Sequence, residues 1–392
     1  MKPLLIPAPL SPGHSQALQS LRERFAALPD SRVSGRTLHR LDEVLMIAFC
    51  SMLSDNDGFT DMEIFAQTQL PWLRTFLALE NGAPSHDVFR NLFIMLRPQA
   101  LVRILQEWCG DLCGKHIAID GKALRGTYDA GAAKCLVHVL RAWVSEIGLS
   151  AGHVTCAEKN NELEALPRLL DSLQLKGAVV TIDAMGCQQN IAQQIHEAGG
   201  DYVLTLKANQ KNTHAEVEAH FQAADEAACA PSHHKTHETV EFSHGRFERR
   251  EYTLTSELEW FLKSWKWYGL QSVVRVRRWT HRGQQSAELA LETHYYITSL
   301  KAESKRLAAL IRRHWSVENQ CHYVLDVTFN EDHCQVRDAN AAHNLSIVRE
   351  ITAKVLKLHP SKASVRAKRK RAALDPTFRS DLLALIPQTF GA

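Results

Sequence analysis

The chain has 392 residues, a formal net charge of +3, 45% hydrophobic and 23% charged residues. That length is too great for one ordinary core and predicts two or three globular domains. No apolar run is long enough to cross a bilayer, and the proline-broken start MKPLLIPAPLSPGH lacks the apolar segment and cleavage site of a secretory signal, so a cytoplasmic protein without a membrane partner is expected.

The first hundred or so residues read as helices. LDEVLMIAFCSMLS and DMEIFAQTQLPWLRTFLAL repeat apolar residues at three- and four-residue steps, and SHDVFRNLFIML opens on a Ser/Asp cap. These define a helical N-terminal domain over 1–112. Beyond residue 113 the pattern turns to strands: KHIAID, CLVHVLRAWVSE and SAGHVTCAE, with GTYDAGAAK and IGL as turns. Then follow a helix in NELEALPRLLDSL, a strand in GAVVTIDA, a helix in CQQNIAQQIHEAGG and a fifth strand in DYVLTLKA. Three strands, helix, strand, helix, strand predicts a mixed α/β sheet with helical crossovers.

Residues 211–295 carry alternating basic runs, HETVEFSHGRFERREYTL and LQSVVRVRRWTHRG, and read as an inserted, mainly β subdomain. THYYITSL then returns as a strand, and KRLAALIRRHWSVENQCHYVL is a long helix. The core is thus expected over 113–210 plus 296–358. The remaining 359–392 form a basic tail. From Lys354 to Arg371 there are eight basic residues and no acidic one. Such a run is commonly a solvated surface, but it is also the footprint of phosphate contacts that release counterions.

Nine cysteines without regular spacing, in a chain with no export signal, point to reduced thiols. Cys109, Cys113 and His116 form one grouping of soft-metal ligand types, and His233, His234 and His237 another. Neither has a partner pair at zinc spacing, so a packed helix end and a polar loop are the favoured readings.

Two strands finish an apolar run on an aspartate: Asp120 in IAID and Asp183 in VVTIDA. Ligands of open α/β sheets bind at the C-terminal ends of strands, and two carboxylates there repel unless a cation lies between them. Magnesium, a hard cation taking one or two protein carboxylates, suits such a pair, and two ions clamp the attacking and leaving oxygens of a phosphoryl displacement. A third acid is needed. Glu318 lies four residues after His314 and four before His322, so the three share a helical face, with Arg312 and Arg313 about one turn upstream. Asp326, Glu331 and Asp332 are rivals for the same role.

HIAIDGKALRG, EKNNELEALPRLLDSLQLKGAVVTIDAMGCQQNIAQQI, GGDYVLTLKANQ, FSHGRFERREY, HYYITSL and RRHWSVENQCHYVLDVTFNED together resemble the H-repeat-associated proteins of bacterial insertion sequences, which look like DDE transposases with an RNase H-like core. FAALPDSRVSGR, GAPSHDVFRNLF and SVRAKRKRA extend the resemblance over nearly the whole chain. It implies Asp120, Asp183 and Glu318 as the three acids that are catalytic and hold two Mg2+ ions, with Mn2+ able to substitute. The tyrosine, arginine and lysine that related transposases carry seven before, four before and seven after the glutamate are here Ile311, His314 and Leu325; His314, Trp315, Asn319 and His322 are candidates to take over their phosphate- and base-handling roles.

The implied partner is double-stranded DNA, both element ends and target, bound by a homodimer in a synaptic complex at the nucleoid, with the helical domain contributing to end binding. Lys122, Arg125 and Lys207 beside the acidic strand ends, Arg312 and Arg313 on the helix, and Arg246 with Arg366, Lys368, Arg369, Lys370 and Arg371 are expected along the phosphate track. Trp315 is expected either to stack on a displaced base or to be a core tryptophan. A metal-dependent nuclease without joining activity and an inactive DNA-binding relic are the rival readings.

Overall fold

A computed structural model describes residues 12–33, 35, 37–128, 137–156, 162–227, 234–243, 246–262, 265–282, 290–301 and 303–386. The turn expected at 126–134 lies largely outside them, as does His233. The N-terminal segment is helical: α1 (Pro12–Ala26), α2 (Leu41–Leu53), α3 (Phe59–Thr68), the short α4 (Leu70–Leu73), α5 (His86–Met95) and α6 (Pro98–Cys109). α2 is buried along its whole length, including both acids of its first turn. Those acids are satisfied: Asp42 accepts from Arg22 and Arg40, at 2.7 and 3.0 Å, and Glu43 accepts the Leu79 amide at 2.9 Å.

One nine-stranded sheet follows. β1 (His116–Leu124), β2 (Val137–Val144) and β3 (Leu149–Cys156) pair antiparallel in sequence. α7 (Glu162–Asp171) leads to β4 (Val179–Ile182), parallel to β1, and α8 (Gln189–Glu197) leads to β5 (Asp201–Leu206), parallel to β4. The resulting order β3-β2-β1-β4-β5 is the RNase H-like arrangement.

The stretch expected as an inserted, mainly β subdomain contains helix as well as strand. It opens on a 16-residue helix, α9 (Lys211–Glu226), and continues as β6 (Lys235–Ser243), β7 (Arg246–Thr255), a short α10 (Glu259–Leu262), β8 (Ser272–Arg282) and β9 (Ala290–Thr298). β9 pairs antiparallel with β5, so the sheet runs on as β9-β8-β7-β6. A β5 edge left bare would present unpaired backbone groups; the insertion covers it and prolongs the core sheet, and the boundary drawn at 296 falls inside β9.

The chain ends in α11 (Ser304–His314), a π-helical turn (Glu318–His322), α12 (Tyr323–Phe329), α13 (Ala339–Leu358), α14 (Val365–Leu374) and α15 (Pro376–Leu383). The largest apolar cluster among the described residues joins Leu21 of α1, Ile119 of β1, Leu345 of α13 and Leu382 of α15. α13 is the shared element, packing against α2, α5, α6 and β3.

The basic segment after 359 is not a solvated tail. Helical periodicity turns Lys368 and Arg369 inward. Arg369 donates to the Met52 carbonyl at 2.9 Å and to Asp57 at 2.5 Å, and its guanidinium covers the Phe329 ring. Lys368 donates to the carbonyls of Leu356 and His359. These two cations hold helices together and are withdrawn from the expected DNA track. Arg366, Lys370 and Arg371 remain exposed, Arg371 with Asp375 at 3.5 Å.

Candidate active site

The parallel pairing of β1 with β4 ends at Ile119 opposite Ile182, so the next residues, Asp120 and Asp183, emerge side by side. Asp120 is inside its strand: β1 continues against β2 to Leu124, with Asp120 opposite Arg141. Asp183 follows the last residue of β4 and accepts the Met185 amide at 3.1 Å. Glu318 opens the π-helical turn, in which the Tyr323 amide donates to its carbonyl. Such turns are rare and frequent at functional sites. Asp120, Asp183, Glu318, Lys207, Arg312, His314, Trp315 and Asn319 all line one cleft of about 670 Å3.

Burial, and then the neighbouring Asp183, pushes the Asp120 carboxyl up to about 7, with Glu318 and Glu162 adding to the rise and the Gly121 amide opposing it. The basic group beside it, His322 Nδ1 at 3.4 Å from Oδ2, is itself held down to about 3 by burial and by Arg141 and Lys122, so it brings no charge. An uncompensated pair of oxygen donors is the donor chemistry of a hard divalent cation. The fit is of chemistry: among the described residues no three His, Cys, Asp or Glu side chains converge on one ion position.

A carboxyl whose folded value lies above its unfolded value of about 4 costs stability that appears as pH rises from about 4 through 7. Asp120→Asn removes that cost. Thermal melts in the absence of divalent metal are expected to show a Tm gain of about 2–4 °C at pH 8 and about a third of that at pH 5. Equal gains at both pH values would mean that the Asp120 carboxyl is not raised by its burial and its neighbours.

The rival acids have other work. Glu331 is fully buried; burial alone would raise its carboxyl, but Arg141, Lys122 and Arg349 hold it well below the usual range. It accepts from Lys122 at 2.9 Å and from Ser346 at 2.6 Å. Asp326 pairs with the same Lys122, and Asp332 lies 3.5 Å from it. Lys122 therefore faces three carboxylates of its own chain and not the cleft, a correction to its expected role on DNA. His322, only 7% exposed and turned to Asp120, is likewise withdrawn from DNA contact.

The other expected contacts divide. Arg125 is largely exposed, 3.6 Å from Asp332. Lys207 is exposed in the cleft, and Arg312 reaches it while pairing with Glu241 at 2.9 Å. Arg313 turns instead to Glu146. Trp315 is half-exposed at the cleft wall. Arg246 pairs with Ser243 at the β6–β7 hairpin, and its side chain lies outside the described residues. Cys109 is buried and Cys113 exposed, while the His116 ring is taken up by hydroxyls.

The sequence reading missed the cleft floor, where Arg250, Tyr252, Arg278, His294 and Tyr296 of β7–β9 line the same space. Alternation in FERREY and VVRVRRW carried the signal, since Arg250 and Tyr252 share one face and pair across to Arg278 and Val276.

Residues 111–353 match the Transposase DDE domain family, and residues 22–109 the DDE_Tnp_1-associated family. The chain belongs to the DDE transposase family. It is 33% identical over 374 residues to the H repeat-associated protein YhhI of Escherichia coli K12, a match covering 94% of this chain and 98% of that one. YncI of Escherichia coli O157:H7 is 32% identical over 376 residues, covering 94% and 95%. The inactive transposase YbfQ of Escherichia coli K12 is 34% identical over 75 residues, covering 19% of this chain. No helix among the described residues is long and apolar enough to cross a membrane.

Proposed function

We propose that this DDE transposase cuts DNA at the ends of its element and joins the freed 3′-hydroxyl to target DNA. The observation that carries the reading is the emergence of Asp120 and Asp183 side by side where β1 and β4 part, with Glu318 lining the same cleft. These three carboxylates are the residues to hold Mg2+ or Mn2+. Bound divalent ions supply polarisation of the scissile phosphate and acidify the attacking water or hydroxyl.

The chain's own groups do the rest. Lys207 and Arg312 hold phosphates at the cleft, and exposed Arg125, Arg366, Lys370 and Arg371 extend sequence-independent backbone contacts. Trp315 presents a ring for stacking an unpaired base, and Asn319 a polar edge. Work on two ends calls for a homodimer in a synaptic complex, at the nucleoid in the cytoplasm.

The test is incubation of the protein, Mg2+ and DNA carrying the element's ends beside a target plasmid. Joined product is expected. Cleavage without joining would leave a nuclease, and DNA binding without cleavage would leave an inactive relic.

A further inference from the structure

Next to the three acids in sequence runs a chain of hydrogen bonds, buried at His116 and Thr181 and half-buried at its ends. His116 lies four residues before Asp120, Thr181 two before Asp183, and His314 four before Glu318. Thr181 Oγ1 is 2.8 Å from His116 Nε2 and 2.9 Å from His314 Nδ1. His116 Nδ1 is 2.9 Å from Ser145 Oγ, which is 2.9 Å from Ser316 Oγ. His116 and Thr181 are nearly inaccessible, whereas His314 lines the cleft, with Nδ1 engaged by Thr181 and Nε2 the ring nitrogen left for a ligand.

We infer that His116 and Thr181 are positioning residues that fix the ring and tautomer of His314, so that its Nε2 meets the substrate phosphate. The inference rests on the transposase reading for the identity of that substrate. A threonine hydroxyl has one proton and two lone pairs, so between two imidazoles it donates to at most one, and using its own proton there means accepting from the other. Burial keeps both rings neutral, His116 held down to about 3 and His314 to about 4, the latter partly offset by Asp183. Two arrangements pass the threonine proton along the chain.

In the first, donation runs Ser316, Ser145, His116, Thr181, His314, and Nε2–H points into the cleft. In the second every donor reverses, and Nε2 offers a lone pair. A phosphodiester oxygen only accepts, so DNA in the cleft selects the first. The same chain ties β1, β4 and α11 together within one turn of the acids, which fixes their spacing.

The experiment is a double-mutant cycle on single-turnover cleavage of end-containing DNA at saturating DNA. Thr181→Val is expected to slow cleavage about 10–100-fold with DNA affinity within about threefold, and Thr181→Ser to recover most of the rate. In a His314→Ala background Thr181→Val should cost nothing further. Full additivity of the two losses would overturn the inference. If the valine variant folds poorly, His116→Asn breaks the chain from the other end and enters the same cycle.

Should the wild type not cut DNA, the transposase reading fails, and the ring 15N shifts of His314 decide the inference alone. With duplex DNA added, a single tautomer in the wild type that becomes a mixture in Thr181→Val supports it, and identical shifts in both proteins overturn it.

Discussion

Asp183→Ala is expected to give a folded protein that binds DNA and cuts it at least about 10^3-fold more slowly than the wild type. The carboxylate is exposed at the end of β4, and its one described bond is the Met185 amide at 3.1 Å, so its removal costs about 1 kcal/mol of stability or less. On the proposed reading the catalytic loss is larger because Asp183 would hold the divalent ion that stabilises charge developing in the transition state, worth several kcal/mol, or about three decades of rate. Asp183 is also the first like charge acting on Asp120, so the variant should let the Asp120 carboxyl fall from about 7 toward its ordinary value. Mg2+-dependent cleavage of end DNA, read beside a thermal melt and a binding isotherm, checks all three. An unchanged rate would remove Asp183 from the site.

The succession of strands and the two aspartates were legible because each aspartate directly follows a short β-branched run, a local signal. What stayed hidden depended on partners. β1 runs four residues past Asp120 because β2 pairs with it to Leu124, and GKAL carries no mark of that partner. Arg369 and Arg371 look alike in a basic run, yet only Arg369 lands over Met52 and Asp57. The floor of the cleft shows its alternation in sequence, but which of the two faces looks toward Asp120 is settled by β9 joining β5. The choice of Glu318 over Asp326 and Glu331 came from resemblance, and in the fold it coincides with which acids have basic partners. Glu331 and Asp326 are matched by Lys122, while Glu318 opens onto the cleft.

That matching makes the second large prediction. Glu331 is the single buried acid met by Lys122, Arg141 and Arg349, at 2.9, 3.4 and 4.0 Å, and Arg141 is fully buried, its Nε 3.7 Å from Glu350. Glu331→Ala leaves that positive cluster short of its central counter-charge, and removal of one member of a buried ionic network costs about 3–5 kcal/mol. The urea midpoint should fall accordingly, with an unchanged slope. Lys122→Met should cost less, because Arg141 and Arg349 still neutralise Glu331, but it frees Asp326 on α12 from β1. Lys122 lies two residues after Asp120 and Asp326 eight after Glu318, so this tie fixes the helix to the strand on the far side of the acids from His116, Thr181 and His314. A Lys122→Met protein is therefore expected to lose stability and cleavage rate while its DNA affinity keeps the same dependence on salt. A lysine that instead touched the DNA backbone would give the reverse: stability within about 0.5 kcal/mol of wild type, and a salt slope shallower by about one counterion.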